Sequence, residues 1–533
     1  MFVRPIHLNS YGVKSYSNNL FGSYYAEVFT VNIVLIYNLR KRYSLFSGCL
    51  YMHNVILIVL DSLRRDHVGA YGNDWIETPC IDALAAESVV YTNAYPEALP
   101  TLPVRRAMYT GMRTFPCRDY VAAKGDVVLI PGWQPIPEHQ VTAAEVFRYH
   151  GYLTALFSSV HHMFKPSMNF HRGFTSWEWI RGQEADHLKA PIGGDLEDPS
   201  NLPCDEMYGM VGHSLPYCLA NVQDWRGEED WFAHRTFGAA ERWLERNGGD
   251  QNFFLVVEEF DPHEPWNPPK EYLDLYFDTD SYDGRRIIPT VGGPNEFAEG
   301  ELEYTLAMYA GEVTHCDTYV GRLLDRVKEM GLWDDTIVAL VSDHGHPIMD
   351  HGIMHKVPAH MYSELMDLVY MIKGPAGEHG GETCDAYVAH HDVPVTLMEM
   401  AGVKTPEGLE GINAWDLATG DAEPTRSYAT CIFYPWLWTK DERHVYMTDI
   451  DNTEERLYDT TVDSGETNDI VASNPGVCRR LRERLWDEIG GDPPRYEVIR
   501  QGHEWYEYPD IHDPTGTFSE KLVAERDAKI RRK

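Results

Sequence analysis

Short runs of consecutive aliphatic residues recur along the chain, and the first of them is Asn54–Leu60. Runs without polar interruption are typical of strands buried on both faces of a parallel sheet. The same pattern predicts four further strands, at Leu153–Ser158, Phe253–Val257, Thr336–Val341 and Leu368–Ile372.

The segments between these runs favour helices, and one of them begins at the capping pair Thr78-Pro79. The longest is an amphipathic stretch of about eight turns. The predicted helices are Thr78–Ala86, Thr142–Gly151, Trp231–Asn247, Glu301–Met330 and Pro394–Ala401. Strands that alternate with helices in this way indicate an α/β fold.

The amino-acid composition and the type of predicted element change near both ends of the chain. Residues 1–51 are rich in Ser, Asn and Tyr, and their apolar run Val28–Leu39 is too short to span a bilayer, although a weak interfacial helix remains an alternative. We therefore predict an extension outside the core at 1–51 and a main domain at 52–424. Short strands at His444–Asp449 and Glu455–Tyr458, followed by a helix at Pro475–Ile489, predict a small α+β subdomain at 425–495. Residues 496–533 form a polar tail or an oligomer arm.

Composition narrows the classes of partner. The formal charge of −36 disfavours a nucleic acid partner. Stable insertion into a membrane is not expected, and the sequence is compatible with a homo-oligomer. The nine cysteines are scattered, without a CxxC pair or Cys/His metal spacing, which indicates reduced thiols in a cytoplasmic protein. No GxGxxG or phosphate-loop motif is present.

Metal-competent side chains follow several predicted strands. Asp61 follows the first strand, and Asp343 and His344 follow the fourth. The carboxyl ends of parallel strands meet at one edge of a sheet, where open α/β folds bind ligands. Carboxylates and an imidazole suit Mn²⁺, Zn²⁺, Mg²⁺ or Ca²⁺. A lone Asp-His is more often a satisfied structural pair, so this signal gains weight only from the other motifs.

One such motif is the stretch from Leu99 to Gly111, in which Thr101 precedes Pro103 and Arg105. Proline is tolerated in the first turn of a helix, so Thr101 is predicted at or just before a helix N-terminus. Free N–H groups and the helix dipole favour an anion there, and Arg105 lies one turn further on. For this stretch alone, an ordinary capped helix is the commoner explanation.

These motifs resemble those of the sulfatase family, within the alkaline phosphatase superfamily. Thr101-Leu-Pro-Val-Arg105 with Tyr109-Thr-Gly111 is similar to the nucleophile signature Cys/Ser-x-Pro-x-Arg…Leu-Thr-Gly. The resemblance runs in order from Met52 to about Ile489. It also includes Asn54 to Gly72, Gly151 to Phe157 with His161, Asp261-Pro-His263-Glu-Pro, Ser342-Asp-His-Gly345, Asp350-His-Gly352 with Lys356, and Leu457-Tyr-Asp459 with Gly465 to Asn468.

The resemblance implies an alkaline-phosphatase-like α/β/α sandwich with a smaller C-terminal α+β subdomain. It implies a single divalent metal, Mn²⁺ or Zn²⁺ in preference to Ca²⁺ or Mg²⁺, held by Asp61, Asp343, His344 and the nucleophile. The catalytic residues that it implies are Thr101, Arg105, His161, His263 and Lys356. The last three of these could hold the non-bridging oxygens of a tetrahedral anion or protonate a leaving group.

Three departures from the family pattern bear on the substrate. Thr101 stands where the family has the Cys or Ser precursor of formylglycine, and Ser159 replaces the lysine of the second signature. Ser62 replaces the second of two acidic residues that follow the first strand in the family, and resembles the glutamine found there in many phosphonate monoester hydrolases. Threonine nucleophiles occur in superfamily members that use two metals, but the sequence shows no clear second ligand set.

The sequence thus predicts a hydrolase of small anionic esters that uses Thr101 on a phosphodiester or phosphonate monoester. The first alternative is a sulfatase that works without formylglycine. A binding protein with a decayed site is the second alternative, but retention of every ligand of the predicted metal argues against decay.

Overall fold

The computed structural model describes residues 52–118, 120, 130–164, 168–184, 186–190, 214–249, 251–282 and 297–495. The predicted extension at 1–51 and the predicted tail at 496–533 lie outside these residues. Of the described cysteines, all but Cys80 are buried.

The larger of two sheets has eight strands. Its centre is formed by β1, which pairs in parallel with β5 on one side and β6 on the other. The strand order is β4-β3-β5-β1-β6-β7-β2-β8. In chain order the strands are β1 (Asn54–Leu60), β2 (Val89–Tyr91), β3 (Leu153–Ser158), β4 (Ser176–Trp179), β5 (Phe253–Glu259), β6 (Thr336–Ser342), β7 (Tyr370–Lys373) and β8 (Thr383–Cys384).

All five strands predicted in this sheet are confirmed, with ends that move by up to two residues. The sheet is mixed, because β7 runs antiparallel to both β6 and β2. Every residue of β1, β5 and β6 is buried. Alternate side chains of β1 enter different cores: Val55, Leu57 and Val59 pack on one face, and Ile56 and Ile58 pack on the other. The continuous aliphatic pattern arises because helices cover both faces.

Helices link the strands, and the predicted ones are confirmed within two residues at each end. Thr78 occupies the N-cap position predicted for it, but its side chain makes no capping hydrogen bond. A capping box occurs at Thr142, whose side chain accepts a hydrogen bond from the Glu145 amide. The helices are α1 (Pro79–Ala86), α2 (Thr101–Thr110), α3 (Ala143–Tyr149), α4 (Ser214–Val222), α5 (Phe232–Asn247), α6 (Lys270–Leu273), α7 (Glu301–Glu329), α8 (Ser363–Met366), α9 (Asp392–Met400), α10 (Ala414–Thr419) and α11 (Pro475–Ile489).

The second sheet is a four-stranded antiparallel meander in the order β12-β11-β10-β9. Its core includes Ile432, Leu437 and Leu457, which pack with Leu481 and Leu485 of α11. The strands are β9 (Tyr428–Phe433), β10 (Trp436–Asp441), β11 (His444–Asp449) and β12 (Glu455–Asp459). This separate sheet with its helix agrees with the smaller C-terminal subdomain that the short predicted strands and the helix after them indicate.

Candidate active site

The carboxyl ends of the three central strands converge at one edge of the large sheet. β1 leads into Asp61, β5 leads into Asp261 and β6 leads into Asp343. The backbone continues to pair at this edge, since the Asp61 amide donates to the Glu259 carbonyl over 3.0 Å. Parallel pairing therefore brings together motifs that lie far apart in the sequence.

Asp61, Asp343 and His344 form a compact group of donors. All three are fully buried, and one ligand atom from each lies within 4.8 Å of the others. Two backbone amides fix Asp343: those of Ser62 and His344 donate to its Oδ1 over 2.9 and 2.8 Å. The predicted metal ligands are thus adjacent and held by the turns that follow β1 and β6.

The donor group fits a divalent cation, and His344 provides the clearest indication. Its Nδ1 donates to the Gly345 carbonyl over 2.8 Å, so the neutral ring carries no proton at Nε2. This Nε2 makes no hydrogen bond among the described residues and lies 3.4 Å from Asp343 Oδ2. Two electron-pair donors that face each other in a buried site are stabilised by a cation between them.

The protonation states agree with this fit. Burial lowers the pKa of His344 to about 3, so the ring is neutral near neutral pH. Burial opposes ionisation of Asp343, but His344 and Arg105 hold the pKa of that carboxyl below its ordinary value. Burial and the nearby Asp343 raise the pKa of Asp61 well above its ordinary value. A bound cation would reverse that last effect, because it favours the charged carboxylate.

Arg105 joins the helix start to these carboxylates. Its Nη1 lies 2.7 Å from Asp343 Oδ2 and 3.1 Å from Asp61 Oδ2, and also donates to the Thr101 carbonyl over 3.2 Å. Its Nε donates to Glu258 over 2.8 Å. Nη2 is buried and makes no hydrogen bond among the described residues, which leaves a donor for an anion.

Thr101 is the first residue of α2, as the sequence predicts, and is 3% exposed. The N-cap position belongs to Pro100, and no side chain caps this helix. The commoner explanation, a threonine that serves as a helix cap, is therefore wrong. The hydroxyl sits on a helix start whose amides lack a capping side chain, next to the arginine that reaches the two aspartates.

Lys356 and His263 stand beside this group. The Lys356 ammonium lies 3.4 Å from Ser62 Oγ and 3.4 Å from Glu264 Oε2. His263 donates from Nδ1 to the Glu264 carbonyl over 2.6 Å, so the Nε2 of the neutral ring is a proton acceptor. Burial lowers the pKa of His263 to about 4, which keeps the ring neutral at neutral pH.

His161 belongs to a neighbouring group with His162 and Glu184. Glu184 Oε2 lies 3.6 Å from His161 Nε2 and 3.5 Å from His162 Nε2. The ring of Phe260 connects the two groups, since its centroid lies 5.6 Å from that of His161 and 4.1 Å from that of His263. Phe260 thus connects His161 to His263, and His161 is not part of the donor group formed by Asp61, Asp343 and His344.

The structure also adds residues that the sequence analysis missed. Glu258 neutralises Arg105, and a third buried group of possible metal ligands consists of Glu264, His346 and His355. The sequence shows no clear second ligand set, whereas the structure brings two further candidate groups together. Glu264 lies in a quoted motif, His346 directly follows another and His355 precedes Lys356, but their spacing matches no metal motif.

Ser62 and Ser159, the two serines that depart from the family pattern, are both held by hydrogen bonds. Ser62 has a left-handed backbone with φ of 61°, and its hydroxyl donates to Asp61 Oδ1 over 2.9 Å. Ser159 donates to Glu259 Oε1 over 2.7 Å and accepts from the Phe260 amide over 2.7 Å. Burial raises the pKa of Glu259 to about 7. The replacement of the signature lysine is thus built into a buried hydrogen-bond network.

A family model described as Sulfatase matches residues 53–403. The chain belongs to the sulfatase family. It is a hydrolase that acts on ester bonds, of the alkaline phosphatase superfamily, whose members use a divalent metal. In the described part of this sulfatase-family chain, no helix is long and apolar enough to cross a bilayer.

Relatives of two kinds are found. An arylsulfatase of Clostridium perfringens is 26% identical over 83% of this chain and 95% of its own length. A multifunctional alkaline phosphatase superfamily protein of Trinickia caryophylli is 25% identical over 67% of this chain and 75% of its own. The crystal structure of a phosphonate monoester hydrolase of Agrobacterium radiobacter superposes with a TM-score of 0.63, at 20% identity, over 82% of this chain and 95% of that one. The predicted fold class is confirmed.

Proposed function

We propose that this sulfatase-family hydrolase cleaves a phosphodiester or a phosphonate monoester, with Thr101 as the nucleophile. One observation carries the proposal: a threonine, at a helix start with no side-chain cap, stands at the nucleophile position of a site whose three other predicted metal ligands lie together. Arg105 connects it to Asp61 and Asp343.

Asp61, Asp343 and His344 would hold one divalent cation, with Thr101 as the fourth ligand. Mn²⁺ and Zn²⁺ suit the mixture of carboxylate and imidazole better than Ca²⁺ or Mg²⁺ do. When bound, such a cation lowers the pKa of a coordinated hydroxyl and neutralises charge on the ester.

The chain's own residues would carry out two displacements. The Thr101 oxygen forms a bond to phosphorus while the bond from phosphorus to the leaving oxygen breaks, and the leaving oxygen takes a proton. Water then attacks the same phosphorus, the bond from phosphorus to the Thr101 oxygen breaks, and the hydroxyl is restored. His263 Nε2 is suited to accept and return a proton, because its Nδ1 proton is held by a carbonyl.

The cationic groups would hold the remaining oxygens of the ester. Arg105 has a buried Nη2 without a hydrogen-bond partner among the described residues, and Lys356 keeps its ammonium next to Ser62. Fixed donors in a buried site stabilise developing negative charge without reorganisation. His161, which lies in the adjacent group with Glu184, is proposed to contact the ester from that side.

The side chain of Thr101 favours phosphorus over sulfur. Its Cβ carries a methyl group, so oxidation would give a ketone, and formylglycine cannot form. A formylglycine hydrate releases sulfate by breaking its own C–O bond, which threonine cannot do. Its ester must therefore be cleared by attack of water on the central atom. Metal and cationic side chains support that step at phosphorus, whereas a sulfated enzyme should persist.

Ser159 adds to this preference, because it removes the cation that the second signature supplies. The alternative is a sulfatase without formylglycine, and the arylsulfatase of Clostridium perfringens favours it. The preserved donor group argues against a decayed binding protein. A reduced, cytoplasmic setting remains our proposal from the scattered cysteines.

The test compares aryl phosphodiester, phosphonate and sulfate esters with the same leaving group on the wild-type protein. We expect turnover of a phosphorus ester and mass-spectrometric labelling of Thr101 in the rapidly quenched enzyme. Thr101→Ala should lose turnover by at least about 10³-fold, as expected for removal of a nucleophile. Thr110→Ser, a change in the same helix, should keep it. Rapid turnover of the sulfate ester, with Thr101 unmodified and phosphorus esters untouched, would contradict the proposal.

A further inference from the structure

The third group of metal-competent side chains lies where β5 and β6 open into loops. Glu264 follows β5, whereas His346 and His355 come from the loop after β6. All three are buried, with exposures of 5%, 0% and 1%. One ligand atom from each lies within 4.8 Å of the others.

We propose that Glu264, His346 and His355 form a second divalent-metal site, suited to Zn²⁺. Two imidazoles and one carboxylate are a donor set that zinc uses with an open fourth position. The proposal concerns metal content and does not depend on whether the substrate is a phosphorus ester.

The distances fit tetrahedral zinc. With bonds of about 2.0–2.1 Å, two ligand atoms of a tetrahedral site lie about 3.3 Å apart. His346 Nε2 and His355 Nδ1 are 2.9 Å apart, and His355 Nδ1 is 3.6 Å from Glu264 Oε1. One separation is shorter and the other longer than the expected value, so small shifts of the side chains would bring these ligand atoms to the distances of a tetrahedral zinc site.

The second oxygen of Glu264 is held by other groups. Oε2 lies 3.6 Å from His346 Nδ1 and 3.4 Å from the Lys356 ammonium. With Nε2 of His346 bound to metal, its Nδ1 carries the proton and faces this oxygen. Ligands of metal sites are oriented by such outer contacts. Oε1 therefore remains available to a cation.

The buried polar atoms point the same way. His346 Nδ1 makes no hydrogen bond among the described residues. Trp266 flanks both rings, with centroids 5.3 Å from His346 and 5.8 Å from His355. This apolar wall limits hydration of the group, and a bound cation would add to the single positive charge that Lys356 supplies to the carboxylate.

The location joins this site to the first. Lys356 bridges Glu264 and Ser62, and His263 Nδ1 lies 3.4 Å from Glu264 Oε2. A cation here would add positive charge near the proposed ester site and fix the carboxylate that positions Lys356 and His263.

The experiment measures Zn²⁺ bound to full-length protein that has been stripped with a chelator, titrated and separated from free ion. We expect two equivalents for the wild type. His355→Phe and Glu264→Gln should each bind one, and Asp343→Asn should bind one through loss of the other site. His360→Phe, a change of a histidine outside all three groups, should still bind two. Circular dichroism checks that each variant is folded.

Co²⁺ gives a spectroscopic readout that needs no activity. The absorption bands of tetrahedral Co²⁺ should be present in Asp343→Asn, where only the second site binds metal, and lost in the double variant Asp343→Asn/His355→Phe. A single equivalent in the wild type would overturn the proposal. So would a second equivalent that survives His355→Phe and Glu264→Gln but is lost in His162→Phe, because it would belong to the group with Glu184. Failure of the proposed ester hydrolysis would leave all these results unchanged.

Discussion

At the scale of single residues, the most consequential side chain is Arg105, because three buried carboxylates depend on its charge. Glu258, Asp343 and Asp61 all lie within 3.1 Å of its guanidinium. Burial opposes its charge, but these partners raise the pKa of Arg105 above its ordinary value. A planar fork serves several carboxylates at once, which an ammonium cannot do.

Arg105→Leu should therefore lower the free energy of unfolding by about 3–5 kcal/mol, because it leaves buried carboxylates without a counter-charge. Denaturant unfolding measures this loss. Arg105→Lys keeps the charge but not the fork, so it should recover part of the stability and little of the turnover. A fully active Arg105→Lys enzyme would contradict the role given to the fork.

Ser159 is the second residue whose change has a calculable effect. Ser159→Ala removes one donor to Glu259 and one acceptor for the Phe260 amide, and should cost about 1–3 kcal/mol. The folded pKa of Glu259 is raised to about 7, so the stability that it contributes falls as the pH rises from about 4.5 to 7. The variant raises this pKa further, so its deficit should grow above pH 7.

Melting temperatures from pH 5 to pH 9 would measure this divergence. Ser473→Ala, which changes an exposed serine that donates to the Ile470 carbonyl and accepts from the Asn474 side chain, is the matched control. It should follow the wild type at every pH. Parallel curves for Ser159→Ala and wild type would show that Ser159 does not stabilise the ionised Glu259.

At the scale of elements, the turn after β6 positions the predicted metal ligands because backbone packs tightly against it. The Gly345 amide donates to the Leu365 carbonyl over 2.9 Å. A Cβ at Gly345 would lie 2.0 Å from the Glu364 carbonyl oxygen, a contact that main chain must move to relieve. The glycine is therefore required by the approach of α8 to this turn.

Gly345→Ala should displace Asp343 and His344 and lose bound metal and turnover together, with a lower melting temperature. Metal analysis and activity assays on the folded protein check the result. Gly476→Ala is the control, since its Cβ meets open space in the first turn of α11. Alanine favours a helix over glycine by about 1 kcal/mol, so this variant should be neutral or slightly more stable. Normal metal content in Gly345→Ala would contradict the argument.

At the scale of the whole molecule, the second sheet supports the segment that leads into Thr101, the proposed nucleophile. Leu99 donates from its amide to the Ile432 carbonyl over 2.9 Å, so β9 pairs with the segment that leads into Thr101. On the other side, the loop after β12 contacts α8, where Glu466 accepts from the Ser363 amide over 3.0 Å. The second sheet and its loops thus contact both the start of α2 and the region near the predicted metal ligands.

Glu466 makes this contact pH-sensitive. Burial raises its pKa from 4.5 to about 8, so the contact is less stable as the pH rises between those values and levels off above them. Glu466→Gln keeps an acceptor and removes the ionisation. It should raise stability by up to a few kcal/mol at pH 8 and by nothing near pH 4. Denaturant unfolding at both pH values measures the difference, and an equal effect at the two would contradict it.

Much of this arrangement is determined by the sequence alone. The uninterrupted aliphatic run of β1 requires burial on both faces, and Pro103 with Gly111 delimits α2. Local sterics and hydrophobic burial decide these features, so Asp61, Thr101, Asp343 and His344 could be placed at the ends of named elements. The ordered motifs also indicated the family.

Only the tertiary structure decided which side chains meet. Glu264, His346 and His355 come from two different loops with no metal-type spacing, and Arg105 finds Glu258 on a strand distant in sequence. The N-cap of α2 is Pro100 and not Thr101. Backbone geometry decides which residue precedes a helix, and residue type alone does not determine that geometry. Pairing between distant strands sets these contacts, and their energies depend on burial and on neighbouring charges that a linear sequence does not contain.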